Sequence, residues 1–301
     1  MSKEKWTVEN IPDQTGRIVI ITGSTSGLGK EAARVLSGKK ASVIMAVRNV
    51  KKGEGVVNEI KNESPDADVT IRELDLSSLS SIKTFAEGIT NDFDRLDILI
   101  NNAGVMMCPF SKTKDGFEIQ MGTNHLGHFA LTGLLMPLLK KTDGSRVVAT
   151  SSMAHRTGNI DFSDLNWEKR KYKTIQAYGD SKLANLYFTY ELAKRLGSAG
   201  NNPKATVAHP GWTATELQRH AGVFSFLNNF LAQGVDIGTL PTLRAAIDPD
   251  AKPGDYFGPS HFFEMRGYPV TVASNKRSHD EEAARRLWEI SEELTGVRYL
   301  S

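Results

Sequence analysis

The chain alternates short, nearly unbroken apolar runs with longer segments whose apolar residues recur at helical spacing. The runs are Arg17–Thr22, Ala41–Val47, Asp68–Leu76, Leu96–Ala103, Ser145–Ser152 and Lys204–Pro210. Several are apolar almost throughout, the pattern of parallel strands covered on both faces. Between them the spacing predicts helices over Gly29–Ser37, Lys51–Lys61, Ser80–Asn91, Phe117–Leu139 and Gln176–Leu196. A further amphipathic helix is predicted near the C-terminus. Ser278 and Glu281 have capping-box spacing there, and Leu287, Trp288 and Leu294 supply the apolar side. Strands alternating with helices predict repeated βαβ units, hence an α/β fold built on a doubly wound parallel β-sheet with helices on both faces. A length of 301 residues allows two domains. Without a linker, repeat or low-complexity segment, residues 1–301 are expected to form a single domain.

Ligands of such sheets bind outside the carboxyl ends of the strands. Here those ends read Thr22-Gly23, Val47-Arg48, Asp75, Asn101-Asn102-Ala103-Gly104, Ser151-Ser152 and His209-Pro210-Gly211. Six polar or glycine-bearing ends along one edge point to a binding site. The first is followed by a glycine-rich loop that opens a helix, containing Gly23, Thr25, Ser26, Gly27, Leu28 and Gly29. Glycines let backbone N–H groups approach a pyrophosphate at a helix N-terminus. The spacing is G-x-x-x-G-x-G, not the G-x-G-x-x-G of the usual dinucleotide fingerprint. A nucleotide triphosphatase loop is excluded, because Ser24 and Glu31 stand where it needs Gly and Ser or Thr. At the end of the second strand, where NAD sites place a carboxylate for the ribose 2′-hydroxyl, stands Arg48. A guanidinium pairs with a 2′-phosphate, so NADP(H) is favoured over NAD(H).

Composition narrows the classes further. Lys plus Arg number 37 against 35 Asp plus Glu, a balance that gives no basic excess for nucleic acid. Cys108 is the single cysteine, which excludes a disulfide framework and Cys-rich zinc sites. No apolar run has the length of a membrane span, and Met1 to Arg17 do not resemble a signal peptide. A soluble, cytoplasmic protein with a small-molecule substrate is expected.

Taken together, the Thr22–Gly29 loop, the Asn101–Gly104 strand end, a Tyr-x-x-x-Lys pair and the Pro210-Gly211 segment occur in one order. In that order the chain resembles the short-chain dehydrogenase/reductase family, with its Rossmann fold, most strongly over about residues 16–215. Finer features resemble the branch holding retinol dehydrogenases, WW-domain oxidoreductases and light-dependent protochlorophyllide reductases. They are Thr123–Phe129, Ser151–His155 and Tyr178–Asn185. The resemblance implies a catalytic set of Asn124, Ser152, Tyr178 and Lys182. Ser152 would hydrogen-bond the substrate oxygen, Lys182 would bind the nicotinamide ribose, and Asn124 would anchor a water-linked proton path. It also implies cofactor contacts from Asp75 and Leu76 at the adenine and from Asn102, Ala103 and Gly104 along the adenosine ribose. Pro210, Gly211, Thr213 and Thr215 would lie by the nicotinamide carboxamide. The implied activity is NADP(H)-dependent interconversion of a carbonyl and an alcohol. A C=C reductase of the protochlorophyllide type uses the same residues, and a non-catalytic NADP(H)-binding sensor is the reading from another class. Oligomeric state stays open, although the family commonly forms dimers or tetramers.

The Tyr-x-x-x-Lys spacing occurs twice, placing Tyr178/Lys182 and Tyr190/Lys194 on one helix about 18 Å apart. Tyr178, followed by Ser181-Lys182, is taken as catalytic; Tyr190/Lys194 is read as amphipathic surface. A free phenol ionises near pH 10, and an ammonium one turn away is expected to favour the phenolate. Ser152 and Tyr178 are 26 positions apart. This is roughly twice the usual family separation and in keeping with the retinol dehydrogenase branch. The intervening Lys169–Lys173 run is read as a solvated loop. His125 and His128 lack a third ligand and are read as structural, and Cys108 as packing near the substrate pocket. Phe224–Leu231 reads equally as a substrate lid, core or oligomer contact; as a lid it favours an apolar substrate.

Overall fold

Successive residues of a strand point to opposite faces, so a strand buried on both sides must feed two cores at once. The computed structural model, which describes residues 5–197, 203–213 and 233–300, shows this directly. Ile20, Ile44, Leu99, Val147 and Val207 join one core, whereas Val19, Ile21, Val43, Met45, Ile98 and Val148 join the other. The strands are β1 (Ile18–Thr22), β2 (Ser42–Val47), β3 (Val69–Glu73), β4 (Ile98–Asn101), β5 (Arg146–Thr150), β6 (Lys204–Ala208), β7 (Tyr256–His261) and β8 (Arg266–Thr271). They form one sheet in the order β3-β2-β1-β4-β5-β6-β7-β8. Every neighbouring pair is parallel except β7–β8.

The main helices are α1 (Gly27–Gly38), α2 (Val50–Glu63), α3 (Leu79–Asp92), α4 (Gly127–Lys141), α5 (Thr174–Leu196), α6 (Val235–Ile247) and α7 (Glu281–Thr295). Residues of α1, α2 and α6 build one core, and residues of α3, α4, α5 and α7 build the other. The doubly wound Rossmann arrangement is therefore present, with strand order reversing between β1 and β4.

Five elements differ from the sequence reading. The helix expected over Phe117–Leu139 begins as a short turn at Ile119–Met121, passes through a π-turn at Gly122–Leu126 and then becomes α4. Glu118 holds its start, the carboxylate accepting from the backbone N–H of Gln120 and Met121 at 2.9 and 2.7 Å. The C-terminal helix is capped by Asp280, which accepts from Ala283 N–H at 3.0 Å. Ser278 instead lies in the preceding turn, capped by Asn275. Finally, β7, β8 and α6 were not anticipated. Gly258, Pro259, Gly267 and Pro269 make the two strands read as turns, and Pro241 interrupts the pattern of α6. Pro259 faces Pro269 in the antiparallel pair at the sheet edge, where a missing N–H is tolerated.

Helix α7 seats Trp288 among Phe129, Phe188 and Tyr299, at ring separations of 4.9, 6.0 and 4.8 Å. The Arg195 guanidinium lies 4.6 Å from the indole, so the aromatic cluster ties α7 to α4 and α5. Among the described residues no helix is long and apolar enough to cross a membrane. Trp288→Ala is expected to lower the unfolding free energy by about 3–5 kcal/mol. Urea unfolding checks this, and a loss below about 1 kcal/mol would show that the tail does not brace the fold.

Candidate active site

The first helix opens on the glycine loop with its N-terminus unsealed. Ser26 occupies the N-cap position in extended conformation, and its side chain makes no capping hydrogen bond to the helix. The leading N–H groups of α1 thus face outward at the positive end of the helix dipole. Space for a phosphate depends on two glycines. A Cβ on Gly29 would collide with the Asn102 amide nitrogen and the Gly23 carbonyl oxygen, both at 2.5 Å. Gly23 itself has φ +67° and would meet Ala103 Cα at 2.8 Å. Beside the loop, Asn102 donates to the Thr22 carbonyl at 2.8 Å, and the N–H groups of Asn102 and Ala103 both reach Thr22 Oγ1 at 2.9 Å. Glycine thus lets the loop close against the end of β4, and the unsealed helix start beside it fits a dinucleotide pyrophosphate.

The second half of the site is built where α5 meets the end of β5. Gly179 allows the contact, since a Cβ there would press on the Thr157 hydroxyl and lie 2.9 Å from the Ala154 carbonyl oxygen. This close approach sets Tyr178 against the turn that begins at Ser152, whose side chain favours the ionised form of the Tyr178 hydroxyl. One turn on, the Lys182 ammonium donates to the Thr150 carbonyl at 3.0 Å and lies 5.6 Å from the Tyr178 ring centre. Asn124, inside the π-turn, donates to Val105 O and Ser181 Oγ, each at 2.9 Å, and accepts from Val105 N–H at 2.8 Å. Ser181 in turn donates to the Tyr178 carbonyl at 2.8 Å. The four residues expected to be catalytic therefore lie together at the carboxyl edge of the sheet, with Asn124 joined to Tyr178 through Ser181.

Comparison with known proteins agrees with this geometry. The family model of the short chain dehydrogenases matches residues 17–223. Human retinol dehydrogenase 12 is 44% identical over 289 residues, covering 94% of this chain and 88% of that protein. The chain belongs to the short-chain dehydrogenase family. A crystal structure of a protein from Mycobacterium paratuberculosis superposes with a TM-score of 0.83 at 44% identity, covering 98% of this chain and 99% of the other. A short-chain dehydrogenase from Shigella flexneri, complexed with NADP, gives a TM-score of 0.66 at 26% identity, covering 81% and 97%.

In this short-chain dehydrogenase burial dominates the electrostatics of the acid–base pair. Removal from water pushes the Tyr178 phenol up to about 12, against the pull of the Ser152 hydrogen bond. The Lys182 ammonium is pulled down to about 8 by the same cause. The sequence suggested that the lysine would lower the tyrosine, whereas burial is the largest influence and raises it. Both shifts favour the neutral forms.

Of the other residues singled out, Arg48 stands exposed just past β2 and forms no ion pair with a described residue. Asp75 accepts from the backbone and hydroxyl of Ser77 and pairs with Lys114 at 3.1 Å, while Leu76 is buried against Gly127 at the start of α4. Pro210, Gly211 and Thr213 form a turn closed by the Thr213 hydroxyl, which donates to the Pro210 carbonyl at 2.7 Å. Thr215 and the Phe224–Leu231 segment lie outside the described residues.

Two bland readings need correction. Lys169, Lys171 and Lys173 are exposed, but the alternate residues turn inward. Arg170 stacks 3.6 Å from the Trp167 ring centre, and Tyr172 donates to the Glu118 carboxylate at 2.7 Å. Likewise Tyr190 is partly buried, bonded to Ser274 at 2.8 Å and stacked on His279, so it anchors the tail. Sequence reasoning also missed the backing residues. His155 donates to the Ser152 carbonyl at 2.7 Å through Nδ1, and Asn185 donates to the Thr150 carbonyl at 2.9 Å. The Asn185 signal was present in the Tyr178–Asn185 motif, but its role required the neighbouring strand.

No group of three or more His, Cys, Asp or Glu among the described residues could hold a metal ion. His125 and His128 are instead buried hydrogen-bonding residues, with burial lowering them to about 3 and about 4. In the unfolded chain both would take up a proton near pH 6.5. The unfolded state thus binds more protons below that value. Stability is then fully present above about pH 6.5 and falls as pH drops towards 4, by up to about 1.4 kcal/mol per pH unit for each histidine. Urea unfolding at pH 7 and pH 5 checks this, and equal free energies at the two values would contradict it.

Proposed function

We propose that this short-chain dehydrogenase is an NADP(H)-dependent enzyme that interconverts a carbonyl and an alcohol on an apolar substrate, with Tyr178 as acid and base. The observation that carries the reading is the grouping of Ser152, Tyr178 and Lys182 on the sheet edge that also bears the unsealed start of α1. The cofactor supplies or accepts a hydride when bound. Gly23, Thr25, Ser26, Gly27, Leu28 and Gly29 would hold its pyrophosphate, and Asp75, Leu76, Asn102, Ala103 and Gly104 would flank the adenosine. Tyr178 and Lys182 would hold the nicotinamide ribose, with Pro210, Gly211, Thr213 and Thr215 at the carboxamide.

Each catalytic side chain has a task set by its surroundings. Ser152 donates to the substrate oxygen and places it against the Tyr178 hydroxyl. Tyr178, raised by burial and so reliably protonated, gives its proton to that oxygen as negative charge develops there; in reverse it removes the alcohol proton. The Lys182 ammonium stabilises the phenolate left behind, because the attraction of an opposite charge is strong in a dry site. Asn124 fixes Val105 and Ser181 and so holds the loop after β4 against α5.

NADP is favoured by Arg48, whose exposed guanidinium suits a 2′-phosphate and where an NAD site has a carboxylate. The apolar substrate is supported by two exposed apolar side chains near the start of α5. Ile175 is exposed on the face of α5 that bears Tyr178, one turn before it. Phe110 is exposed as well and packs edge-on against Tyr172 at 5.2 Å.

Tyr178→Phe is expected to reduce turnover by roughly 10²-fold or more while leaving NADPH binding, measured by fluorescence, within a few fold. Turnover at the native level would sink the assignment. Arg48→Asp is expected to move the ratio of kcat/KM for NADPH over NADH towards NADH by about 10-fold or more. An unchanged ratio would remove Arg48 from the cofactor site.

A further inference from the structure

His128 lies fully inside the protein, one helical turn beyond Asn124, and both of its ring nitrogens have partners. Nδ1 is 3.0 Å from the Asn124 carbonyl oxygen, and Nε2 is 2.9 Å from Thr22 Oγ1. The proton positions follow by elimination. A carbonyl oxygen only accepts, so Nδ1 carries the hydrogen and Nε2 of the neutral ring is an acceptor. Thr22 must then donate. Its oxygen already accepts from the N–H groups of Asn102 and Ala103, which leaves its single proton for His128. The alternative acceptor, the Ile100 carbonyl, is farther away at 3.4 Å.

The result is one directed chain across the crevice. Asn102 and Ala103 donate to Thr22, Thr22 donates to His128, and His128 donates to the Asn124 carbonyl. The Asn124 amide then donates to Ser181, which donates to the carbonyl of Tyr178. Its first members border the glycine loop, since Asn102 also holds the Thr22 carbonyl and a side chain on Gly29 would strike it. Its last member carries the reacting hydroxyl. Both ring nitrogens of His128 are thus taken up by partners within the protein. Its use is geometric.

We propose that His128 is a positioning residue that locks Asn124, and through it the start of α5, to the strand end beneath the cofactor loop. The inference rests on the functional reading above, because it assigns the lock to the alignment of Tyr178 with a bound dinucleotide. Misplacement of reacting groups by a fraction of an ångström to one ångström costs up to about 100-fold in rate. Loss of the lock should therefore appear in kcat more than in binding.

The test compares His128→Leu, His128→Asn and His128→Gln with the native enzyme, each normalised to active sites titrated with NADPH. His128→Leu is expected to lower kcat by roughly 10-fold to 100-fold while the Kd for NADPH changes less than about 3-fold. Asn can place a donor where Nδ1 stands and should recover most of kcat. Gln reaches only the Thr22 end and should not. In the double variant with Thr22→Val, the losses in kcat should be less than additive, since both substitutions cut one chain. An unchanged kcat per active site in His128→Leu, equal rates in the Asn and Gln variants, or strictly additive losses would each overturn the proposal.

A second readout does not require turnover. In ¹⁵N-labelled protein the His128 ring should show Nδ1 protonated and Nε2 not, with Thr22→Val moving the Nε2 resonance and leaving Nδ1 nearly unchanged. The opposite tautomer would overturn the chain. If this signature holds and the native protein oxidises no NADPH with any carbonyl, the functional reading has failed and the hydrogen-bond chain has not.

Discussion

The parallel pairing of β1 with β4 is the constraint on which the site depends. Strand order reverses at this pair, so the chain leaving β1 turns to one face of the sheet and the chain leaving β4 turns to the other. The two strand ends must part, and a crevice opens between them. Thr22 keeps that crevice narrow, because its hydroxyl accepts two N–H groups from across the gap. Both halves of the site, the glycine loop and the residues that meet at Tyr178, are laid against its walls.

Dryness is the second condition. The Lys182 ammonium is buried with the Thr150 carbonyl as its hydrogen-bond acceptor, an arrangement that costs free energy in the protein alone and lowers its proton affinity. Tyr178 suffers the mirror-image penalty. A site that keeps both groups poised against their charged forms is one in which newly formed charge interacts strongly with its neighbour. The fold maintains it by close backbone approach at Gly179, where α5 lies almost on the turn after Ser152.

Much of this was legible in the chain itself. The inner strands β1, β2, β4, β5 and β6 announced themselves because burial on both faces leaves little room for polar residues. Tyr178 stood out from Tyr190 because Ser181 and Lys182 followed it. Other features left no such mark. The edge pair β7–β8 is built with Pro259, Pro269 and two glycines, which a strand tolerates only at its margin. The π-turn around Asn124 is a slip in hydrogen bonding and alters no periodicity that a pattern of apolar residues records. The inward Arg170 and Tyr172 were hidden by the lysines around them, and His128 looked like any histidine in an apolar helix. The direction of the Tyr178 shift was misjudged for a related reason. Sequence spacing shows the neighbouring charge but not the depth of burial that opposes it.

The aromatic seat of α7 has a practical consequence. Trp288 and Tyr299 pack on α4 and α5, and the Arg195 guanidinium of α5 donates to the Leu300 carbonyl at 3.1 Å. The last turns of the chain are thus mechanically continuous with the helix that carries the reacting tyrosine. An affinity tag or fusion partner appended to the carboxyl end pulls on that helix.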